Sequence, residues 1–346
     1  MDALRKLLLI FSKKKVLKGE DRIQNVEYMN REALLKRQIS IFGRKSNPIM
    51  IFSEEDIALM TNNYNKSNLI DDTRTDKVGE LRKFGFDEQK YLRSSSTRKM
   101  KPMSFFAYDH DTKVSLYKGT LNGRPVVVRK HDSPGFYDAR ETIINSIVTL
   151  SNVNHKNVIK ILGCCLETEP PIVVYDLSPN GILLDHLFGT KGHPKMSWKD
   201  RLRVAAEIAD GLNYLHIGTH VPVIHCDLSP PNIFLDESGT VKIIDLGLSV
   251  PIVAVGADSE SVVGIAGYLD PECVRSGEIT VKSDVYSFGL VLLQIWKSSS
   301  VGDGMEEGSS EQFREIAMRC LKKKGEERPE MKEVVQELCR IKKISP

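Results

Sequence analysis

The sequence predicts an α+β fold of two unequal lobes, a small β-rich N-lobe followed by a larger helical C-lobe. Strand signals with a hairpin cue crowd the chain up to Tyr175, helices at 3.6-residue spacing dominate from Asp176 onward, and no internal repeat divides it. Its 346 residues leave room for two domains or one two-lobed one. With 41% hydrophobic and 27% charged residues the composition is that of a soluble globular protein and excludes collagenous or wholly disordered chains. Lys and Arg number 49 against 46 Asp and Glu, a balance that gives no electrostatic case for nucleic-acid binding.

In chain order, residues 1–47 form a basic N-terminal extension, with 12 basic and 5 acidic residues, so the rest of the chain is net acidic. Leu7, Leu8 and Phe11 stand at helical spacing there, and either a docking helix or a frayed arm fits. The N-lobe is read as 48–175. Within it, 71–103 lacks periodicity, carries Ser94-Ser95-Ser96-Thr97, and reads as an inserted loop. Strands follow at Phe105–Tyr108, Val114–Tyr117 and Val126–Val128, with Asn122-Gly123 as a hairpin turn. Residues 141–150 read as a helix and Pro171–Tyr175 as a buried strand.

The C-lobe spans 176–346. Ser197-x-x-Asp200 caps a helix whose face is Leu202, Ala205, Ala206, Ala209, Leu212 and Leu215. Two short strands, Ile233–Leu235 and Val241–Ile244, flank a turn at Asp236–Gly239. Val285–Trp296 is apolar on nearly every face, as a central helix requires, and Pro329 opens a last helix striped by Met331, Val334, Val335, Leu338 and Ile341. Between them, 298–311 holds mainly Ser, Gly and acidic residues.

No run approaches the roughly 20 apolar residues of a membrane span, and Leu7–Phe11 is too short for the core of a signal peptide. Asp2 stands where N-myristoylation needs glycine. The six cysteines show no C-x-x-C spacing and read as reduced thiols. The expected location is therefore cytoplasmic, with the inner face of the plasma membrane as an alternative for the basic arm.

The chemistry concentrates in His225-Cys226-Asp227-Leu228-Ser229-Pro230-Pro231-Asn232, followed after the small hairpin by Asp245-Leu246-Gly247. Such spacing suits phosphoryl transfer: Asp227 accepts a hydroxyl proton, while Asn232 and Asp245 hold Mg²⁺ against nucleotide phosphates. The plainer reading makes the same groups inherited supports of their loops. Gly267–Glu272, Ser283–Gly289 and Glu326–Pro329 then follow in order.

With these motifs the chain resembles the protein kinase fold over roughly 48–341. Through Leu162–Glu167 and Val174–Gly181 it is most similar to plant receptor-like cytoplasmic kinases of the wall-associated type. Leu34-Leu35, Gly43–Ile49, Phe52-Ser53 and Thr61–Tyr64 further resemble the front end of the ZED-related kinases, a plant group made largely of pseudokinases.

Against that pattern the departures are informative. The stretch Tyr108–Val114, read as the glycine-rich loop, has no glycine and carries Asp109 and Asp111. The strand lysine falls on Arg129 or Lys130, depending on how the hairpin is registered, with Arg129 preferred. Ser146 replaces the helix glutamate that pairs with that lysine. Cys226 replaces the arginine before the catalytic aspartate, Ser229 replaces the lysine that neutralises the transferring phosphoryl group, and Ile265 stands in place of a threonine. Glu272 and Arg328 match a structural ion pair.

What the resemblance implies is a catalytically impaired adaptor in plant innate immunity. Its implied partners are a coiled-coil NLR immune receptor, receptor-like cytoplasmic kinases and pathogen effectors, with weak ATP and Mg²⁺ binding that the role does not require. The expected contact surfaces are the basic arm and the activation segment, Val250–Gly264. The alternative is a weakly active Ser/Thr kinase that binds ATP and lacks the arginine before its catalytic aspartate.

Overall fold

The computed structural model describes residues 20–43, 47–73, 114–131, 139–190, 192–252, 268–299, 304 and 306–344. Leu7–Phe11, the strand at Phe105–Tyr108, Asp109, Asp111 and Ile265 lie outside the described residues, as do 74–103 of the inserted loop and most of Val250–Gly264.

The chain enters through helix α1, Glu20–Phe42. One of its faces docks on the sheet lobe: Leu34 is buried, and the Asn30 side chain donates to the carbonyls of Leu166 at 2.8 Å and Thr168 at 2.9 Å. Its outer face carries Glu27–Arg31 and Glu32–Lys36 ion pairs at helical spacing, with Leu35 and Ile39 exposed among them. The part of the extension within 20–42 is thus a helix packed on the N-lobe, while Leu7, Leu8 and Phe11 lie outside the described residues.

Strand β1, Met50–Phe52, and helix α2, Glu54–Met60, follow, the latter started by a reciprocal Ser53–Asp56 capping box. The next strands are β2, Leu69–Thr73; β3, Val114–Leu121; and β4, Arg124–His131. Helix α3, Ala139–Ser151, precedes β5, Lys160–Cys165, and β6, Ile172–Asp176. Together they form a six-stranded sheet in the order β1-β5-β6-β4-β3-β2. The Asn122-Gly123 turn has positive φ at both residues, +50° and +78°, which gives the right-handed twist a tight hairpin needs. β1 runs parallel to β5 so closely that a Cβ on Gly163 would come within 2.2 Å of the Met50 carbonyl oxygen, and only glycine fits there.

One boundary shifts. Asp71, Asp72 and Thr73, assigned by sequence to the inserted loop, are strand residues paired with Val114–Leu116. The segment 74–113 thus joins two adjacent antiparallel strands, the position that the sequence reading gave to a short loop at Tyr108–Val114.

The C-lobe is built from β7, Pro179–Ile182; α4, Leu183–Phe188; and α5, Trp198–Asn213, which ends in a π-helical turn at Tyr214–Gly218. Short strands β8, Val223–Ile224; β9, Ile233–Asp236; β10, Val241–Ile243; and β11, Val250–Pro251 carry the loops facing the N-lobe. Helices α6, Pro271–Ser276; α7, Val281–Lys297; α8, Glu307–Cys320; and α9, Met331–Ile344 complete the lobe. The expected α5 stripe is buried throughout, and α7 buries Val285, Phe288, Val291, Leu292 and Ile295.

Residues 298–311 contribute more than their composition suggested, because α8 starts inside them. Trp198 and Trp296 donate their indole N–H groups to Ser309 and Ser310 Oγ, each at 2.9 Å. Arg201, fully buried, donates to the Ile295 carbonyl at 2.9 Å and to Ser298 Oγ at 2.6 Å, placing positive charge at the C-terminus of α7.

Arg328 pairs chiefly with Asp270, at 2.5 and 2.7 Å, and only distantly with Glu272, at 3.8 Å. The expected partner is therefore secondary. Asp270→Ala strands a buried guanidinium and is expected to cost about 3–5 kcal/mol in urea denaturation, against less than about 1 kcal/mol for Glu272→Ala. Equal losses would show that the two carboxylates share the load.

Candidate active site

The loop between the two small sheets is held from below by one carboxylate. Asp284, buried on α7, accepts the His225 and Cys226 backbone N–H groups at 2.7 and 2.9 Å, and His216 Nε2 lies 2.8 Å away. With its N–H fixed, Cys226 turns into the left-handed region at φ +68°. Burial pushes the Cys226 thiol well above its ordinary range, with Asp284 and Cys273 adding to the effect, so it is no nucleophile at neutral pH. Burial alone would raise the Asp284 carboxyl too, but the His216 hydrogen bond and charge and the nearby His225 hold it below the usual carboxylate range.

His225 turns the loop's direction into a second contact. Its Nδ1 accepts the Asp227 N–H at 3.2 Å, and its Nε2 donates to the Ile244 carbonyl at 3.0 Å, the residue before Asp245. Asn232, at the end of a 3-10 turn, donates its Nδ2 to the Asp227 carboxylate and carbonyl, both at 2.8 Å. Asp227, Asn232 and Asp245 are thus brought together by the local backbone, and all three are buried.

From the N-lobe, Arg129 on β4 reaches across and donates to Asp245 Oδ2 at 2.9 Å, with both side chains largely buried. Lys130 lies on the opposite sheet face with its ammonium 4.5 Å above the Tyr64 ring. Strand alternation therefore settles which of the two enters the cleft.

Ser146 on α3 and Tyr175 on β6 sit beside this pair, the Tyr175 phenol facing both Arg129 and the Ser146 hydroxyl, which oppose the upward push of burial on its pKa. The Ser229 hydroxyl, fully buried, is unpartnered among the described residues. Burial pushes the Tyr175 phenol up, so it stays a neutral O–H.

Three functional positions escaped the sequence reading. Tyr175 enters the sequence reading as a strand residue and within the Val174–Gly181 resemblance, with no role at the site. Asp284 was quoted within a motif but given no role. Asn145 is given no role in the sequence reading, although an apolar run of Ile143, Ile144, Ile147 and Val148 interrupted by a polar Asn145-Ser146 pair is the available signal. Its Nδ2 donates to the carbonyls of Gly247 at 2.8 Å and Ser249 at 2.9 Å, while its Oδ1 receives Arg37 of α1.

Two outcomes test this geometry. Because the folded carboxyl of Asp284 lies below its unfolded value, its stabilisation is present above about pH 4 and lost as pH falls through the folded pKa. The urea-midpoint gap between the wild type and Asp284→Asn is expected to be constant from pH 7 to about 5 and to narrow below about 4. A gap that widens on acidification has the wrong sign. Tyr175→Phe removes a buried hydroxyl that faces Arg129 and Ser146 and is expected to cost about 1 kcal/mol in urea denaturation, the worth of a typical intramolecular hydrogen bond.

Residues 112–306 match the family model described as protein tyrosine and serine/threonine kinase. Wall-associated receptor kinase 4 of Arabidopsis thaliana is 38% identical over 258 residues, covering 65% of this chain and 35% of that protein. Wall-associated receptor kinase-like 10 of the same plant is 38% identical over 267 residues, covering 67% and 35%. The chain spans about a third of the length of these curated relatives. No helix among the described residues is long and apolar enough to cross a membrane. A match across more than half of the chain, on a sheet lobe joined to a helical lobe with the aspartates between them, makes this chain a member of the protein tyrosine and serine/threonine kinase family.

Proposed function

We propose that this chain is a catalytically impaired kinase of the ZED-related type that works as a scaffold, an adaptor between a coiled-coil NLR immune receptor and effector-modified cytoplasmic kinases. The observation that carries the reading is the state of the phosphate-handling groups. Arg129 is committed to Asp245, and Ser146 and Ser229, both buried and uncharged, stand where a glutamate and a lysine serve active relatives of the fold. Loss of one well-placed electrostatic stabiliser costs ~100 to ~1,000-fold in rate, and the lysine–glutamate pair is a precondition of transfer. The sequence adds to this reading, since the stretch Tyr108–Val114, which resembles the glycine-rich loop in position, has no glycine and carries Asp109 and Asp111.

Asn232 and Asp245 supply oxygen donors of the kind Mg²⁺ takes alongside nucleotide phosphates, so the donor chemistry fits the ion. When bound, the ion would neutralise phosphate charge. Arg129 already neutralises the Asp245 carboxylate and competes for it, which makes ATP and Mg²⁺ binding weak and dispensable for scaffolding. The adaptor role places the protein in the cytoplasm or at the inner face of the plasma membrane.

A second reading, a weakly active Ser/Thr kinase, draws on the intact Asp227–Asn232 contact and the His225 bridge to Ile244. One assay separates the two. Purified protein with Mg²⁺ or Mn²⁺ and labelled ATP is expected to transfer no phosphate above an Asp227→Asn control. Robust transfer abolished by that substitution would falsify the scaffold reading in favour of the enzyme. Co-precipitation of a coiled-coil NLR from plant tissue, lost on deleting residues 1–47, is the matching positive outcome.

A further inference from the structure

Helix α1 and the loop after Asp245 touch the same side chain. Asn145, only 6% exposed, accepts at Oδ1 from Arg37 Nε at 3.0 Å and Nη2 at 2.7 Å. Its amide nitrogen faces the other way, toward the carbonyls of Gly247 and Ser249, with Leu246 at 3.3 Å. An Asn amide has one acceptor end and one donor end. A flip would set its N–H groups against the guanidinium and its oxygen against the three carbonyls. The Arg37 charge therefore fixes which end meets the loop.

The loop lies directly on α3. A Cβ at Gly247 would fall 2.5 Å from Thr142 Cγ2, and Ser249 Oγ is 3.3 Å from Thr149 Oγ1. α1 is in turn anchored by Asn30 and by buried Leu34, so Arg37 is presented from a fixed helix.

We infer that Arg37 and Asn145 form a positioning relay through which the N-terminal helix α1 sets the placement of the Asp245 loop and of the activation-segment stem, Leu246–Ile252. The relay is independent of whether the cleft transfers phosphate. It makes α1 and the stem reciprocal: a ligand that steadies one steadies the other by the same factor.

Hydrogen–deuterium exchange of the full chain tests the relay, with α7 amides as the reference for global opening. Arg37→Met is expected to raise exchange at Leu246–Ile252 about tenfold relative to α7, from the loss of a charge-assisted bond. Arg31→Met, which removes only the solvent-side pair with Glu27, is expected to leave the stem unchanged. Asn145→Asp keeps a partner for Arg37 but turns an acceptor toward the carbonyls, so the stem loosens while α1 stays protected. Wild-type exchange at the stem in Arg37→Met or in Asn145→Asp overturns the inference. So does a rise shared equally by α7, or a stem that responds to Arg31→Met as strongly as to Arg37→Met.

Discussion

A single buried carboxylate, Asp284, sets the frame on which the cleft is built. By accepting two consecutive backbone N–H groups it holds Cys226 in a left-handed conformation that would cost an unsupported residue about 1–2 kcal/mol. That turn aims Asp227 at the cleft and lets His225 link the loop to Ile244, the neighbour of Asp245. The spacing of the two aspartates is therefore a property of the backbone and one imidazole. It involves neither the Ser146 nor the Ser229 side chain.

Above that frame both charged and neutral contacts join the lobes. Arg129 and Asp245 form a buried pair whose desolvation offsets much of its attraction, so its worth lies in fixing where Asp245 points. α3 holds the loop after Asp245 through an amide, two hydroxyls and the close seat of Gly247.

Periodic features were legible in the sequence. The α5 stripe, the β9–β10 hairpin and the Asn122-Gly123 turn emerge where spacing and turn chemistry put them, because each is specified within a dozen residues. Non-local pairings were not. β2 lies far in sequence from its partner β3 and contains Asp71-Asp72, poor strand formers, so nothing local marked it. Arg129 and Lys130 could not be separated by composition, since a one-residue slip exchanges the two faces of a strand, and only the register with β6 decides. Asn145 and Asp270 act through partners more than 50 residues away, Leu246–Ser249 and Arg328, which a linear reading cannot pair.

The placement of 74–113 has a consequence for how its length can change. Its two ends, Thr73 and Val114, are strand partners, so the segment leaves and rejoins the sheet at one rung of the ladder. Closing a loop costs only about 0.6 kcal/mol more for each doubling of its length. The sheet below is fixed by the β3–β4 and β4–β6 registers, which do not involve the segment. Changes in the length of this connection therefore cost little stability, since neither register passes through it.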